Sequence, residues 1–323
     1  MNNQLRAGRM ITKALYQTTK SRLRRGPLLP SWTFQFEVVV AMLREDWQTL
    51  WQHEAHELRA YTDSLMGSQR MVKRCQHKRE TIGGVLGDWF IPPKAQEGTA
   101  LLYFHGGSYL FGSSKTHGDV MARFALYSGL SVFAPAYRLA PEHPWPAQLD
   151  DALAVFEALS ARRLIIAGDS AGGHLVLSMA RALHRRGAKI PIATVAISPW
   201  LDMLAKSDSY QRNALYDYGK REMLLAQAKQ ITGDKPPESL SLLDLPPTDL
   251  GPLLIQGGSA ELLIDEITQL ATQMQVAGYA AELDVLPEMP HASSNLAAFC
   301  AEGDRAVQRA CDFIKRVVAT QTT

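Results

Sequence analysis

Ser170 stands at the centre of Gly168-Asp169-Ser170-Ala171-Gly172. Before it lies the apolar run 164–167; after it, residues 171–186 place apolar side chains at helical spacing until Gly187 stops them. A strand that turns straight into a helix bends its corner residue tightly and tolerates only small neighbours, because a Cβ at Gly168 or Gly172 meets adjoining backbone. Such a corner pushes the serine hydroxyl out of the sheet, over the unpaired N–H groups of a helix start that favour an anion. The chemistry this suggests is nucleophilic attack by the serine. Serine is a weak nucleophile by itself, so a base, a group that orients the base and a site for an oxyanion must come from elsewhere in the chain.

Loops at the carboxyl ends of strands are where a parallel sheet gathers reactive groups. The apolar run 100–104 leads into His105-Gly106-Gly107-Ser108-Tyr109. Consecutive glycines let backbone N–H groups point together at an oxyanion, so Gly106, Gly107 and Ser108, with Ala171 from the helix start, are candidate donors. A plain Gly-Gly turn is the alternative. The run 252–256 leads into Gly257-Gly258-Ser259-Ala260-Glu261, where Glu261 offers a carboxylate; Asp265 and Glu266 follow on a helix and could instead serve its N-terminal dipole.

The run 281–286 leads into Met289-Pro290-His291, and an imidazole there has the right intrinsic pKa to act as base. Of nine histidines, His105 and His291 fall in loops directly after strands read as buried, and His105, preceding the glycines, is read as holding their loop. His174 lies on the helix after Ser170 and His143 in a proline-rich turn; surface or packing roles suit His77, His117 and His184. His53 and His56 are three apart, not at the four-residue spacing of a zinc helix, and are expected to be exposed. The order Ser170, acid, His291 is that of α/β-hydrolases.

The elements that must position these groups follow from the pattern. From residue 71 onward strands alternate with helices: paired strands over 71–79 and 85–91 joined through Gly83-Gly84, strands near 100–104, 130–134, 164–167, 192–197, 252–256 and 281–286, and helices near 117–128, 148–159, 171–186, 220–231, 262–277 and 295–318. The pattern predicts an α/β fold with a mostly parallel central sheet flanked by helices and right-handed crossovers. Residues 31–66, with Trp32, Phe34, Phe36, Leu43, Trp47, Leu50 and Trp51, read as one or two amphipathic helices that pack on the body or cover an apolar pocket. Residues 1–70 thus read as an N-terminal helical segment and cap and 71–323 as the α/β domain, within which the mixed, proline-rich stretch 201–250 is a second lid segment or a long crossover.

Composition narrows the class. A formal net charge of +2 over 323 residues does not suggest a nucleic-acid binder. The three cysteines form no C-x-x-C pair and fit reduced thiols of a cytoplasmic protein, with Cys300 and Cys311 as small apolar packers. No run reaches the length of a transmembrane helix, so no stable membrane insertion is expected. The first 25 residues carry seven Lys/Arg and no Asp/Glu. We read them as a solvated helix, with a transit peptide or an anionic membrane surface as alternatives.

Together these motifs resemble the hormone-sensitive-lipase-like (bacterial family IV type) esterases of the α/β-hydrolase superfamily. The resemblance covers about residues 101–291. It rests on His105-Gly106-Gly107, on residues 137–147 (YRLAPEHPWPA), on Gly168-Asp169-Ser170-Ala171-Gly172-Gly173, on Ser198-Pro199-Trp200-Leu201-Asp202 and on Met289-Pro290-His291. It implies hydrolysis of a small-molecule carboxylic ester without metal or cofactor, under a helical cap built from the N-terminal segment and residues 203–245; apart from the resemblance, a homodimer is a candidate assembly. Ser170 would be nucleophile and His291 base, while 137–147 would buttress the oxyanion loop. Two departures stand out: Ser108 replaces the family's usual third glycine, and its usual Asp acid matches Glu261, with Asp265 in reserve. A non-catalytic small-molecule receptor and an amidase or peptidase are the rival readings.

Overall fold

The computed structural model describes residues 3–50, 53–64 and 69–320; Trp51 and the side chain of Leu50 lie outside what is described. Among the described residues, eight strands form one sheet: β1 (Gln76–Ile82), β2 (Val85–Ile91), β3 (Thr99–Phe104), β4 (Ser131–Pro135), β5 (Arg163–Asp169), β6 (Ala193–Ile197), β7 (Leu253–Gly258) and β8 (Ala281–Leu286). Their order is β1-β2-β4-β3-β5-β6-β7-β8. β1 and β2 pair antiparallel, β2 joins β4 antiparallel, and β3 onward is parallel. The central strands β3, β4, β5, β6 and β7 are apolar on both faces because helices cover both, as the continuous apolar runs require.

The helices are α1 (Asn3–Arg25), α2 (Phe34–Leu50), α3 (Ala55–Ser64), α4 (Gly118–Ser128), α5 (Ala147–Ala158), α6 (Ala171–Arg185), α7 (Ser209–Arg212), α8 (Arg221–Thr232), α9 (Ile264–Val276) and α10 (Ala301–Thr320). One core cluster joins Phe104, Leu175 and Trp200 on one side of the sheet; the other joins Leu101, Phe124 and Ile314. No helix among the described residues is long and apolar enough to cross a membrane.

Three expectations need correction. Residues 71–75 are not strand: Val72–Arg74 is a 3-10 turn that buries Met71 and Cys75, and β1 begins at Gln76. The helix expected at 295–318 is broken, with a 3-10 turn at Ser293–Leu296 before α10 starts at Ala301. β8 is an edge strand with most side chains partly exposed, so His291 does not follow a buried strand.

The basic N-terminal helix α1 is not merely solvated. Ala14 and Thr18 are buried, Lys13 pairs with Glu45 on α2, and Arg22 reaches Glu37 at 3.1 Å and the Trp32 carbonyl. Cys75, Cys300 and Cys311 are free thiols.

Candidate functional site

The end of β5 and the start of α6 meet at Ser170, whose backbone is held at φ 55, ψ −117, a strained region for a residue with a side chain. The surroundings over-determine it. A Cβ on Gly172 would stand 1.9 Å from the Phe104 carbonyl oxygen, and one on Gly168 would stand 2.4 Å from that of Gly172. Ser170 N–H donates to the Ile197 carbonyl at 2.9 Å, fixing the corner against β6.

The loop after β3 lies against the same corner, and Asp169 ties the two together. Its Oδ1 accepts from Tyr103 OH at 2.9 Å and from Gly106 N–H at 3.1 Å; its Oδ2 accepts from Asn295 Nδ2 at 2.9 Å and lies 3.4 Å from His117 Nε2. Burial opposes the charge on Asp169, but His117 and the hydrogen bonds prevail and lower its pKa to about 2. Because Gly106 N–H is engaged in this way, it is not free for an oxyanion. The amides of Gly107, Ser108 and Ala171 meet no acceptor among the described residues. Ser108 takes the place of a glycine at φ 50 and donates its hydroxyl to Gln227 Oε1 of α8 at 2.8 Å.

Residues 137–147 do hold this loop. Tyr137 OH donates to the His105 carbonyl at 2.6 Å, and Ala140 N–H to the Tyr109 carbonyl at 2.9 Å. From α3, Arg59 donates to the carbonyls of Leu110 and Ala140 and forks onto Glu142 at 2.7 and 2.9 Å. His105 is buried, stacked on Tyr137 at 4.5 Å, with Nδ1 2.7 Å from the Gly106 carbonyl. Burial foremost, and His117 next, push it down to about 4, so it stays neutral in its loop. His174, likewise pushed to about 4 by burial, bridges Tyr109 OH and the Leu240 carbonyl at 2.7 and 2.8 Å.

The acid and the imidazole come together at the far side of the corner. His291 Nδ1 lies 2.8 Å from Glu261 Oε2, while Glu261 Oε1 accepts the Gly258 N–H at 2.9 Å. Glu261 is fully buried and the His291 side chain is 17% exposed. Burial alone would lower the imidazole pKa; Glu261, then Asp217 and Asp169, outweigh it and raise it. Burial pushes the Glu261 carboxyl upward while the imidazole pulls it back. Asp265 does not reach His291: it accepts the Ser209 N–H at 2.9 Å and pairs with Arg212. Glu266 is buried and bonds the amides of Leu201 and Asp202, not the helix dipole alone.

The segment after His291 crosses the tops of β5 and β6. Ala292 N–H donates to Ser198 Oγ at 3.0 Å, and Asn295 reaches Asp169 beside Ser170. Nothing in the sequence marked Asn295 or Asp217, Ser198 showed only as part of a motif, and His117 was left between a surface and a packing role; its side chain is 10% exposed against Asp169. His53 and His56 are exposed as expected, with His53 3.4 Å from Glu57.

The chain as a whole is similar to known proteins. Residues 101–294 match a family described by its alpha/beta hydrolase fold. An acetyl-hydrolase of Streptomyces hygroscopicus is 34% identical over 250 residues, 73% of this chain and 81% of that protein. An ethyl acetate hydrolase of Pseudomonas putida is 32% identical over 66% of this chain and 72% of its own length. A crystal structure of an esterase from the bacterial hormone-sensitive lipase family superposes with a TM-score of 0.84 at 33% identity, covering 89% of this chain and 99% of that one. It is to these α/β-hydrolases, the bacterial hormone-sensitive lipase type, that the chain belongs, and it is a carboxylic ester hydrolase.

Proposed function

We propose that the chain hydrolyses short- to medium-chain carboxylic esters through an acyl-enzyme on Ser170. His291 takes the Ser170 proton as the hydroxyl oxygen bonds to the ester carbonyl carbon. The resulting oxyanion is held by the N–H groups of Gly107, Ser108 and Ala171. His291 passes its proton to the leaving alkoxide and then takes one from water; the hydroxide oxygen bonds to the acyl carbon, the bond to Ser170 breaks, and His291 returns the proton to the serine oxygen. Glu261 orients the imidazole and stabilises its charged form.

The observation that carries this reading is the 2.8 Å contact between buried Glu261 and His291, on loops that adjoin the strained Ser170 corner. Relatives named acetyl-hydrolase and ethyl acetate hydrolase support a small acyl group. Residues 1–70 and 203–245 would form the cap over the acyl and alcohol pockets; Arg59 and Gln227, which grip the oxyanion loop from those two segments, support that role. The setting would be cytoplasmic and the assembly a homodimer, which sedimentation would test.

The test is a panel of p-nitrophenyl esters graded by acyl length, run on wild type and Ser170→Ala. Wild type should prefer acetate to butyrate over long chains and be labelled covalently by an organophosphate, and S170A should lose both turnover and label. Near-normal turnover by S170A would sink the serine mechanism.

A further inference from the structure

Between α7 and α8 the chain runs along the acid and base loops and bonds both repeatedly. Asn213 Nδ2 donates to the carbonyls of Ser259 and Glu261 at 3.1 and 2.8 Å. Tyr218 OH donates to the His291 carbonyl at 2.8 Å, and its ring meets the imidazole edge-on at 6.0 Å. At the centre is Asp217, 1% exposed. Its Oδ2 accepts the Leu262 N–H at 2.7 Å, directly after the Glu261 position, and its Oδ1 accepts the N–H groups of His291 at 3.2 Å and of Tyr218 at 2.8 Å. From α2, Arg44 holds the carbonyls of Asp217 and Leu215 at 3.0 and 2.7 Å.

We propose that Asp217 is a positioning residue for the ester hydrolysis: a second buried carboxylate, supplied by the inserted segment, that ties the Glu261 loop to the His291 loop. The inference rests on His291 being the base. A carboxylate buried this deeply is costly unless hydrogen bonds compensate it, and three N–H donors hold this one in a fixed place. Its neighbours explain why it is tolerated. Each N–H donor belongs to a loop that must not drift, and the charge lies beside an imidazole that becomes cationic at each proton transfer. The charged or titratable groups facing His291 are Glu261 from the loop after β7, Asp217 from the insertion and Asp169 from the end of β5, with the Tyr218 ring alongside. Two of the three carboxylates come from the hydrolase body and only Asp217 from outside it, so the segment over the pocket is wired to the base itself.

The discriminating variant is Asp217→Asn. An amide keeps one acceptor oxygen but turns an N–H donor toward one of the loop amides, and it removes the charge. Two readouts are taken: kcat and KM for p-nitrophenyl butyrate, and the titration of the His291 imidazole by NMR, assigned by difference from His291→Asn. D217N should lower kcat by about tenfold or more with KM changed by less than about threefold, and the His291 midpoint should fall by about half a pH unit or more. Asp217→Glu, which keeps the charge but not the bond lengths, should restore the midpoint more than it restores kcat. An unchanged midpoint and kcat in folded D217N would overturn the proposal, as would a loss confined to the melting temperature. If D217N does not fold, Arg44→Met is read instead: it should lower kcat severalfold at constant KM, and a normal kcat there would leave Asp217 as a folding residue only. S170A in the same assay separates the two claims, because retained turnover in S170A refutes the serine reading while the NMR midpoint still judges Asp217.

Discussion

Glu261 and His291 meet at 2.8 Å, and the carboxylate oxygen that does not touch the imidazole is anchored on Gly258 N–H three residues earlier. The acid is therefore clamped to its own turn before it meets the base. Removing its charge should cost kcat heavily. Glu261→Gln should lower kcat by about three to four orders of magnitude, as loss of the orienting acid does in serine hydrolases. Asp265→Ala should leave kcat within about threefold, because Asp265 pairs with Ser209 and Arg212 instead. Initial rates on one short-chain ester check both; a severe loss in D265A with a mild one in E261Q would reverse the assignment.

The pH profile follows from the sign of the shift at His291. The base must be neutral to accept the Ser170 proton, and its pKa is raised above the ordinary 6.5 by Glu261, Asp217 and Asp169. On the acid side kcat/KM should therefore rise with pH and level off only above 6.5. A profile that is already flat at that pH would contradict the electrostatics of the site.

Stability should depend on pH through two other histidines. His105 and His174 are held near 4 by burial, against 6.5 for a free imidazole. In the unfolded chain they take up protons near 6.5, whereas in the folded chain they resist until about 4. Their contribution is thus complete above 6.5 and lost as pH falls toward 4. Melting temperatures should decline over that interval. His174→Asn, which loses one such group, should show a shallower decline from a lower starting point, and an unaltered slope would mean that His174 does not titrate there.

Ser108 stands where the resemblance leads one to expect a third glycine, and its hydroxyl bonds Gln227 inside the protein. Gln227 is 2% exposed, and while its Oε1 accepts from Ser108 its Nε2 has no hydrogen-bond partner among the described residues. Ser108→Ala strands both ends of that amide and should cost about 1–3 kcal/mol of stability. A urea titration of S108A read beside Gln227→Leu checks it: the double variant should cost less than the two single ones added together.

Much of the fold was legible because the central strands are buried on both faces, so that 100–104 and 164–167 read as unbroken apolar runs. The first strand was misplaced at 71–75 because Met71 and Cys75 are buried by a 3-10 turn, which one-residue-in-two or one-in-four patterns do not mark. Ser170, Glu261 and His291 were visible because each follows a strand end within a few residues. Asp217 and Asn213 were not, because the loops they bond lie tens of residues away and their own stretch has no periodicity; Arg44 sits on a helix whose pattern shows, but nothing in that pattern says that it reaches residues 215 and 217. Asn295 stood only four residues past His291, yet no pattern in the chain announces that its amide reaches Asp169.

The N-terminal segment closes on the histidine loop: Ser31 N–H donates to Glu288 Oε2 at 2.7 Å, and Trp32 Nε1–H to the Glu288 carbonyl at 2.6 Å, across 256 residues of sequence. During synthesis, residues 31 and 32 leave the ribosome long before residue 288 exists. Contacts of such separation form late because the intervening loop must close first. The N-terminal segment and the histidine loop therefore cannot anchor each other until the residues between Trp32 and Glu288 have been made. A growing chain that has just gained Ser170 still lacks both Glu261 and His291.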